Sequence, residues 1–279
     1  MSNLDGLGYA GKTVVVTGGA SGMGEATARI LGDLGARVHI VDIQQPKAPH
    51  ESFHQCDLSD FDQVRATAAV LKAVAPIHFL FPCAGLPPHI KGALYCMRVN
   101  YIGTRLFVEQ LEPALAGGAG IALISSDAAM GWQKNLAQNL EMLAISDPDE
   151  AYAWCEADVA ARVRDGYTSS KEMLVVWVQN AAVRLGNERR IRMNAIGPCP
   201  TKTAFADMSS EIMTDEFIAA WPFPSLGRMA TAEEQAWPLI LMNSALCAAV
   251  TGSFLYTDQG FASGVFTGAI SPAFMGGGA

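Results

Sequence analysis

Tyr167 and Lys171, in the run Tyr167-Thr168-Ser169-Ser170-Lys171, open a helical pattern whose four-residue spacing puts a phenol and an ammonium on one face. Two titratable groups held this way are equipped to move a proton, yet such a pair recurs by chance. Its weight comes from what precedes it. Thr13 to Val16 is an apolar strand that runs into Thr17-Gly18-Gly19-Ala20-Ser21-Gly22-Met23-Gly24 and then a helix. In that context Gly18 makes a tight turn, Gly22 lets backbone approach a pyrophosphate, and Gly24 lets the helix pack closely. The helix N-terminus, with Ser21 and Met23 beside it, attracts the anion. About eighteen residues on, the next strand ends in Val41-Asp42-Ile43, where a carboxylate accepts both hydroxyls of an adenine ribose. An adenosine 2′-phosphate would meet that charge with no Arg or Lys in the turn or at position 43, which favours NAD over NADP. The plainer alternative is that Asp42 only ends a strand. Asp57 and Leu58, after the third strand, are placed to face the adenine, or else Asp57 caps the helix from Phe61.

The elements that must position these groups alternate along the chain. Thr13 to Val16, Arg37 to Val41, His78 to Pro82, Gly120 to Ile124, Arg190 to Ala195 and Ser253 to Tyr256 read as strands. Glu25 to Leu34, Phe61 to Ala73, Met97 to Leu115, Thr168 to Leu185 and Ala232 to Leu241 read as helices. This order predicts an α/β fold with a parallel sheet covered on both faces, in one domain over residues 1–279. Ser125-Ser126 ends one strand and Asn100 lies in a helix between the glycine turn and Tyr167. The stretch from Ser126 to Tyr167 is too long for a plain connection. Leu136, Leu140 and Leu143 recur at helical spacing, and Asp147-Pro148-Asp149-Glu150 starts a second helix over Ala151 to Val163. A helical insertion over about 127–165 is therefore expected beside the site.

The 279 residues are 50% hydrophobic and 16% charged, ample for a core and unlike a disordered chain. A net charge of -8 without a basic stripe excludes nucleic acid as partner. The six cysteines form no CxxC pair, so neither a metal site nor a disulfide scaffold is expected. The start of the chain lacks a signal-peptide pattern, and Pro238 to Leu255 is interrupted by Asn243, Ser244 and Thr251. A cytoplasmic protein that does not engage a membrane is expected. The small-residue tail Met275 to Ala279 is expected to be loose.

Taken together and in this order, the motifs resemble the short-chain dehydrogenase/reductase family in its classical form, from Gly11 to Gly260. The resemblance implies a Rossmann-type doubly wound sheet and an NAD(H)-dependent oxidoreductase that interconverts a secondary alcohol and a ketone. Tyr167 then matches the acid/base, Lys171 its partner and a ligand of the nicotinamide ribose, and Ser126 the substrate-holding hydroxyl. Asn100 matches the asparagine that holds a helix distortion and a proton relay. Ala84 and Gly85 border the cofactor, while Pro198 and Thr203 belong to the segment that closes over the nicotinamide. A free phenol titrates near ~10, and a close ammonium together with the positive nicotinamide ring of the oxidised cofactor is expected to favour phenolate. The family is usually dimeric or tetrameric, so a homodimer or homotetramer is expected. Three positions depart from the pattern: Cys83 stands for Asn, Cys199 for Gly after Pro198, and Gln259 for Gly. Cys199 is read as a small filler, with a reactive thiol as the alternative.

Phe205, Met208, Met213, Phe217, Trp221 and Phe223 form an apolar series in the segment at about 200–226, which in the family covers the substrate. They suit a bulky uncharged molecule, a hydroxysteroid or a cyclic or aromatic ketone. With only Lys202 and Arg228 nearby, an acyl group on an anionic carrier fits less well. The insertion resembles the one in bacterial 3α-hydroxysteroid dehydrogenase/carbonyl reductase members, and either shapes the substrate site or serves structure alone. Two other functions stay open: a dinucleotide-sensing regulator without turnover, and an isomerase or dehydratase that recycles the nucleotide.

Overall fold

The computed structural model describes residues 5–87, 90–203, 205–206 and 214–271. Met208, Met213 and the tail from Met275 lie outside them. The strands are β1 (Thr13–Thr17), β2 (Arg37–Asp42), β3 (Ser52–Gln55), β4 (Ile77–Pro82), β5 (Leu115–Ile124), β6 (Arg192–Pro198), β7 (Thr201–Lys202), β8 (Ala230–Thr231) and β9 (Phe254–Thr257). Seven form one sheet in the order β3-β2-β1-β4-β5-β6-β9, every pairing parallel, and β7 pairs with β8. The reversal of order between β1 and β4 makes the crevice at the carboxyl ends of these strands the natural ligand site.

The helices are α1 (Gly22–Asp33), α2 (Phe61–Leu71), α3 (Ala93–Met97), α4 (Thr104–Leu111), α5 (Leu136–Ala144), α6 (Pro148–Ala157), α7 (Tyr167–Arg189), α8 (Asp215–Ala220), α9 (Ala232–Asn243) and α10 (Phe261–Thr267). Because neighbouring strand residues face opposite ways, Val14 and Val16 join α1 and α9 in one core, whereas Val15 joins α2, α4 and α7 in the other. The all-buried run Thr13–Thr17 is what a central strand covered on both sides requires. This is the expected Rossmann-type α/β architecture, a single domain with helices inserted before Tyr167.

Two expectations need correction, and the third strand, placed only as preceding Asp57, gains its bounds. The helix expected over Met97 to Leu115 is α3, a π-helical segment Arg98–Gly103, α4 and a short 3-10 turn, and Leu115 already belongs to β5. The edge strand β3 falls in the polar sequence Ser52-Phe53-His54-Gln55, which carries no apolar run. Beyond the helix start at Asp147, whose side chain accepts from Asp149 N and Glu150 N, α6 ends at Ala157 rather than Val163. A π-helical turn, Val159–Val163, completes that stretch. Met142, Ala151, Cys155 and Val163 of the insertion are buried in the same core as α7.

Candidate active site

The glycine turn is built by exclusion. Gly18 has φ +68° and donates its N–H to Val41 O at 2.8 Å; a Cβ there would lie 2.7 Å from the Ala84 backbone. A Cβ on Gly24 would lie 2.1 Å from Gly18 O, so α1 could not approach β1 as it does. Gly22 opens α1 opposite Thr203, with Ser21 as N-cap and Met23 reaching the cavity described below. Asp42 Oδ2 accepts from Ala20 N and Oδ1 from Gln44 N, both at 2.9 Å. The carboxylate therefore fastens the glycine turn, and each oxygen retains a lone pair for a further donor. Cys56 N donates to Asp42 O, which draws Asp57 and the buried Leu58 to the same strand ends. Asp57 Oδ1 accepts from Ser59 N; the capping role at α2 falls to Asp60, which accepts from Asp62 N and Gln63 N.

After β4, Ala84 N donates to Thr17 Oγ1, and Gly85 sits where a Cβ would be 3.5 Å from both Asn100 Oδ1 and Lys171 Nζ. Asn100, in the π segment, grips Leu86 with both ends of its amide: Nδ2 donates to Leu86 O at 2.9 Å and Oδ1 accepts from Leu86 N at 2.7 Å. The helix distortion expected at Asn100 is thus present, and it turns the amide toward the loop after β4. Cys83, in place of an Asn, is half-buried at the cavity wall, and desolvation pushes its thiol up to about 12.

Lys171 is buried, its Nζ donating to Ile124 O at 3.0 Å and standing 5.5 Å from the centre of the Tyr167 ring. Loss of hydration lowers its ammonium to about 8. The same burial raises the Tyr167 phenol above its usual range; the Ser126 hydroxyl opposes this and Asp127 adds to it. The expectation of phenolate includes the positive nicotinamide ring; from the chain alone, desolvation is the largest influence on the phenol. Ser126 Oγ accepts from Ala128 N at 3.2 Å and donates to Asp127 Oδ1 at 3.0 Å.

One cavity of about 530 Å³ gathers Ser126, Tyr167, Lys171, Gly85, Met23, Pro198 and Thr203. Phe205, Phe217 and Trp221 also line it, and Phe205 stacks near Tyr167 with ring centres 5.9 Å apart; Phe223 does not line it. Gly18, Ser21, Gly22, Gly24, Asp42, Asp57, Leu58 and Ala84 do not line this cavity, and mark instead the carboxyl ends of β1 to β4. Asn100 borders it through Gly85. Cys199 is buried at its wall with its thiol pushed up to about 11, which suits the filler reading and not a reactive thiolate. Asp127 also lines the cavity and was not among the expected site residues. An acidic side chain directly after the serine that ends β5 was the available signal.

Among the described residues no helix is long and apolar enough to cross a membrane, and no cluster of side chains is able to hold a metal ion. Comparison with known proteins agrees with this fold. A family model described as short chain dehydrogenase matches residues 12–137, and one described as enoyl-(acyl carrier protein) reductase matches residues 152–262. A coniferyl-alcohol dehydrogenase from Pseudomonas sp. (strain HR199 / DSM 7063) is 29% identical over 252 residues, covering 90% of this chain and 97% of that protein. A 3-alpha-hydroxysteroid dehydrogenase/carbonyl reductase from Comamonas testosteroni is 28% identical over 252 residues, covering 88% and 95%. The crystal structure of the 3-alpha-hydroxysteroid dehydrogenase from Pseudomonas sp. B-0831 complexed with NADH shares the fold. It superposes with a TM-score of 0.77 at 22% identity, over 93% of this chain and 100% of that one. With its fold, its ordered motifs and these relatives, the chain belongs to the short-chain dehydrogenase/reductase family of oxidoreductases.

Proposed function

We propose that this protein is an NAD(H)-dependent oxidoreductase that interconverts a secondary alcohol and a ketone on a bulky hydrophobic substrate, a hydroxysteroid or a cyclic or aromatic ketone. The observation that carries the reading is the convergence of Ser126, Tyr167 and Lys171 on one cavity walled by Phe205, Phe217 and Trp221. Lys171 is the only cationic side chain among the described lining residues, so an anionic acyl carrier finds no partner there. The hydroxysteroid and coniferyl-alcohol enzymes among the relatives support a ring-bearing substrate.

The residues present fit a dinucleotide. Gly18 and Gly24 leave a turn that any Cβ would close, Gly22 (φ +56°) faces Thr203 so closely that a Cβ would lie 3.4 Å from its side chain, and Asp42 keeps acceptor capacity at the ribose end. Asp42 without a neighbouring cation supports NAD over NADP. When bound, the nicotinamide cofactor supplies or accepts the hydride. Tyr167 Oη, protonated in this environment, passes its proton to the carbonyl oxygen as the ketone is reduced and takes it back in alcohol oxidation. Ser126 Oγ steadies the same oxygen by donating a hydrogen bond. Lys171 supports ionisation of Tyr167 by its charge, and Asn100 holds the loop that carries Gly85 against Lys171. The relay asparagine and the homo-oligomeric state are carried over from the family as parts of this proposal.

Spectrophotometry at about 340 nm with NADH and NADPH, on a panel of steroid ketones, aryl ketones and cyclic alcohols, tests it. Turnover with NADH on the ring-bearing members supports the proposal. Dinucleotide binding without turnover on any member would sink it in favour of a sensor.

A further inference from the structure

Ser126 can steady a carbonyl oxygen only with its single hydroxyl hydrogen. In the structure that hydrogen points elsewhere, to Asp127 Oδ1 at 3.0 Å. Asp127 is 8% exposed and lines the same cavity. Its other oxygen, Oδ2, is shut from solvent and has no hydrogen-bond partner among the described residues. A buried carboxylate oxygen without a donor is costly, whereas the carbonyl oxygen of a neutral acid in the same place costs far less.

We propose that Asp127 is a positioning residue that sets the direction of the Ser126 hydroxyl: as a neutral acid it donates to Ser126 Oγ and frees the serine hydrogen for the substrate carbonyl, and as a carboxylate it draws that hydrogen to itself. The inference rests on the reading of Ser126 as the group that holds the substrate oxygen. The hydrogen bonds balance in both states. In the neutral state Ser126 Oγ accepts from Ala128 N and from Asp127, uses both lone pairs, and donates its one hydrogen to the substrate. Tyr167 is then left to donate to the same oxygen. In the ionised state Ser126 donates to Asp127, as in the geometry observed, and the carbonyl oxygen keeps only the Tyr167 hydroxyl.

The groups facing Asp127 come from three sides. From α7 and the residues before it come Tyr167, Lys171 and Asp165; from the end of β6, Cys199; from β9 and its following turn, Tyr256 and Asp258. Asp258 accepts from Gly260 N and Ala262 N. Burial is the largest influence on Asp127; with the Asp258 charge it pushes the carboxyl up to about 7 against the opposing Ser126 hydrogen bond. The sign follows: the neutral, productive form prevails below that pH and is lost above it. Lys171, lowered to about 8, adds a second and later loss.

The test is kcat/KM for reduction of a cyclic ketone with NADH between pH 6 and pH 8, in the wild type, in Asp127→Asn and in Ser126→Ala. The wild type should fall about twentyfold over this range, about tenfold from one group with a midpoint near 7 and about twofold from Lys171. In Asp127→Asn, whose amide donates permanently, the fall should shrink to about twofold, the part left to Lys171. Ser126→Ala keeps Asp127 but removes the group through which it acts. It should be slower by about 10²–10³, as for loss of one oxyanion donor, and should also show only the twofold fall. It carries the test even where Asp127→Asn does not fold. A fall of about tenfold or more that persists in either variant overturns the proposal while leaving the oxidoreductase reading intact. Absence of turnover by the wild type on every ketone would overturn both.

Discussion

The glycine turn and the cavity behind Ser126 stand at neighbouring strand ends but are held in place by opposite means. The turn is fixed by what cannot be there: a Cβ at Gly24 would meet Gly18 O at 2.1 Å, and one at Gly18 would meet Ala84 at 2.7 Å. The cavity is fixed by what side chains do to one another. Glu172, next to Lys171, accepts from Asn135 Nδ2 at 2.9 Å and pairs with Arg164, so one buried carboxylate ties the insertion to α7. Steric exclusion has no intermediate states, because backbone in a packed interior does not yield by degrees. Side-chain networks do yield, and their members can be exchanged one at a time. The cofactor end should therefore fail outright under substitution, and the substrate end should shift in preference.

Tyr167→Phe gives the sharpest break between the two ends. The ring and its contact with Phe205 survive while the transferable proton is lost, so kcat should fall by about 10²–10⁴ with NADH affinity within about twofold of wild type. Stopped-flow NADH fluorescence and steady-state rates measure the two quantities separately. A Phe variant with wild-type turnover would remove Tyr167 from the chemistry altogether.

Next in size is Gly24→Ala, which puts a methyl group where Gly18 O now sits. NADH binding should weaken at least about tenfold, with overpacking lowering stability by about 1–3 kcal/mol. Titration of NADH fluorescence and a thermal melt check this, and wild-type values in both would show that α1 is free to move. Asp42→Ala should cost less, since it leaves the backbone in place. It loses charged hydrogen bonds to Ala20 N and Gln44 N as well as those offered to the ribose. NAD affinity should drop by about tenfold, and the preference over NADP should narrow. An unchanged ratio of the two affinities would place the discrimination elsewhere.

Legibility in the sequence followed the same division. The cofactor end was plain because glycine at Gly18, Gly22 and Gly24 is a property of single residues, and so were the strands of the sheet centre. The π segment at Arg98–Gly103 left no mark, since a helix that admits one extra residue per turn keeps much the same apolar pattern. Only the family resemblance placed a distortion at Asn100, and it gave neither the bounds nor the π character of the segment. The third strand was placed only as preceding Asp57, without bounds, because an edge strand needs no apolar face of its own. Asp127 was passed over for a deeper reason: a carboxylate after a serine is exposed or buried according to what α7, the end of β6 and Asp258 bring against it, all of it distant in sequence. Gln259 shows the converse. It adopts φ +61° where the family has glycine, and its amide compensates by accepting from Leu226 N and donating to Arg228 O. A departure from the motif was visible, but not the contacts that make it tolerable.

The smallest expected effect is also the one that tests the substrate end on its own terms. Phe217 lines the cavity from α8, away from Ser126, Tyr167 and Lys171, and its ring packs on Trp221 with centres 5.3 Å apart. Phe217→Ala removes apolar wall without touching the proton path or the glycine turn. Lost wall area on a ring-bearing ketone corresponds to about 1–3 kcal/mol if the contact is full, and less if the substrate spans only part of the cavity. KM for a bulky ketone should thus rise by about three- to tenfold, with kcat and NADH affinity held, because the contact is the same in ground and transition states. A small ketone such as cyclohexanone, too short to reach α8, should show almost no change. If both ketones lose equally, Phe217 holds the site together and does not read the substrate, and the graded behaviour argued for this end would be wrong.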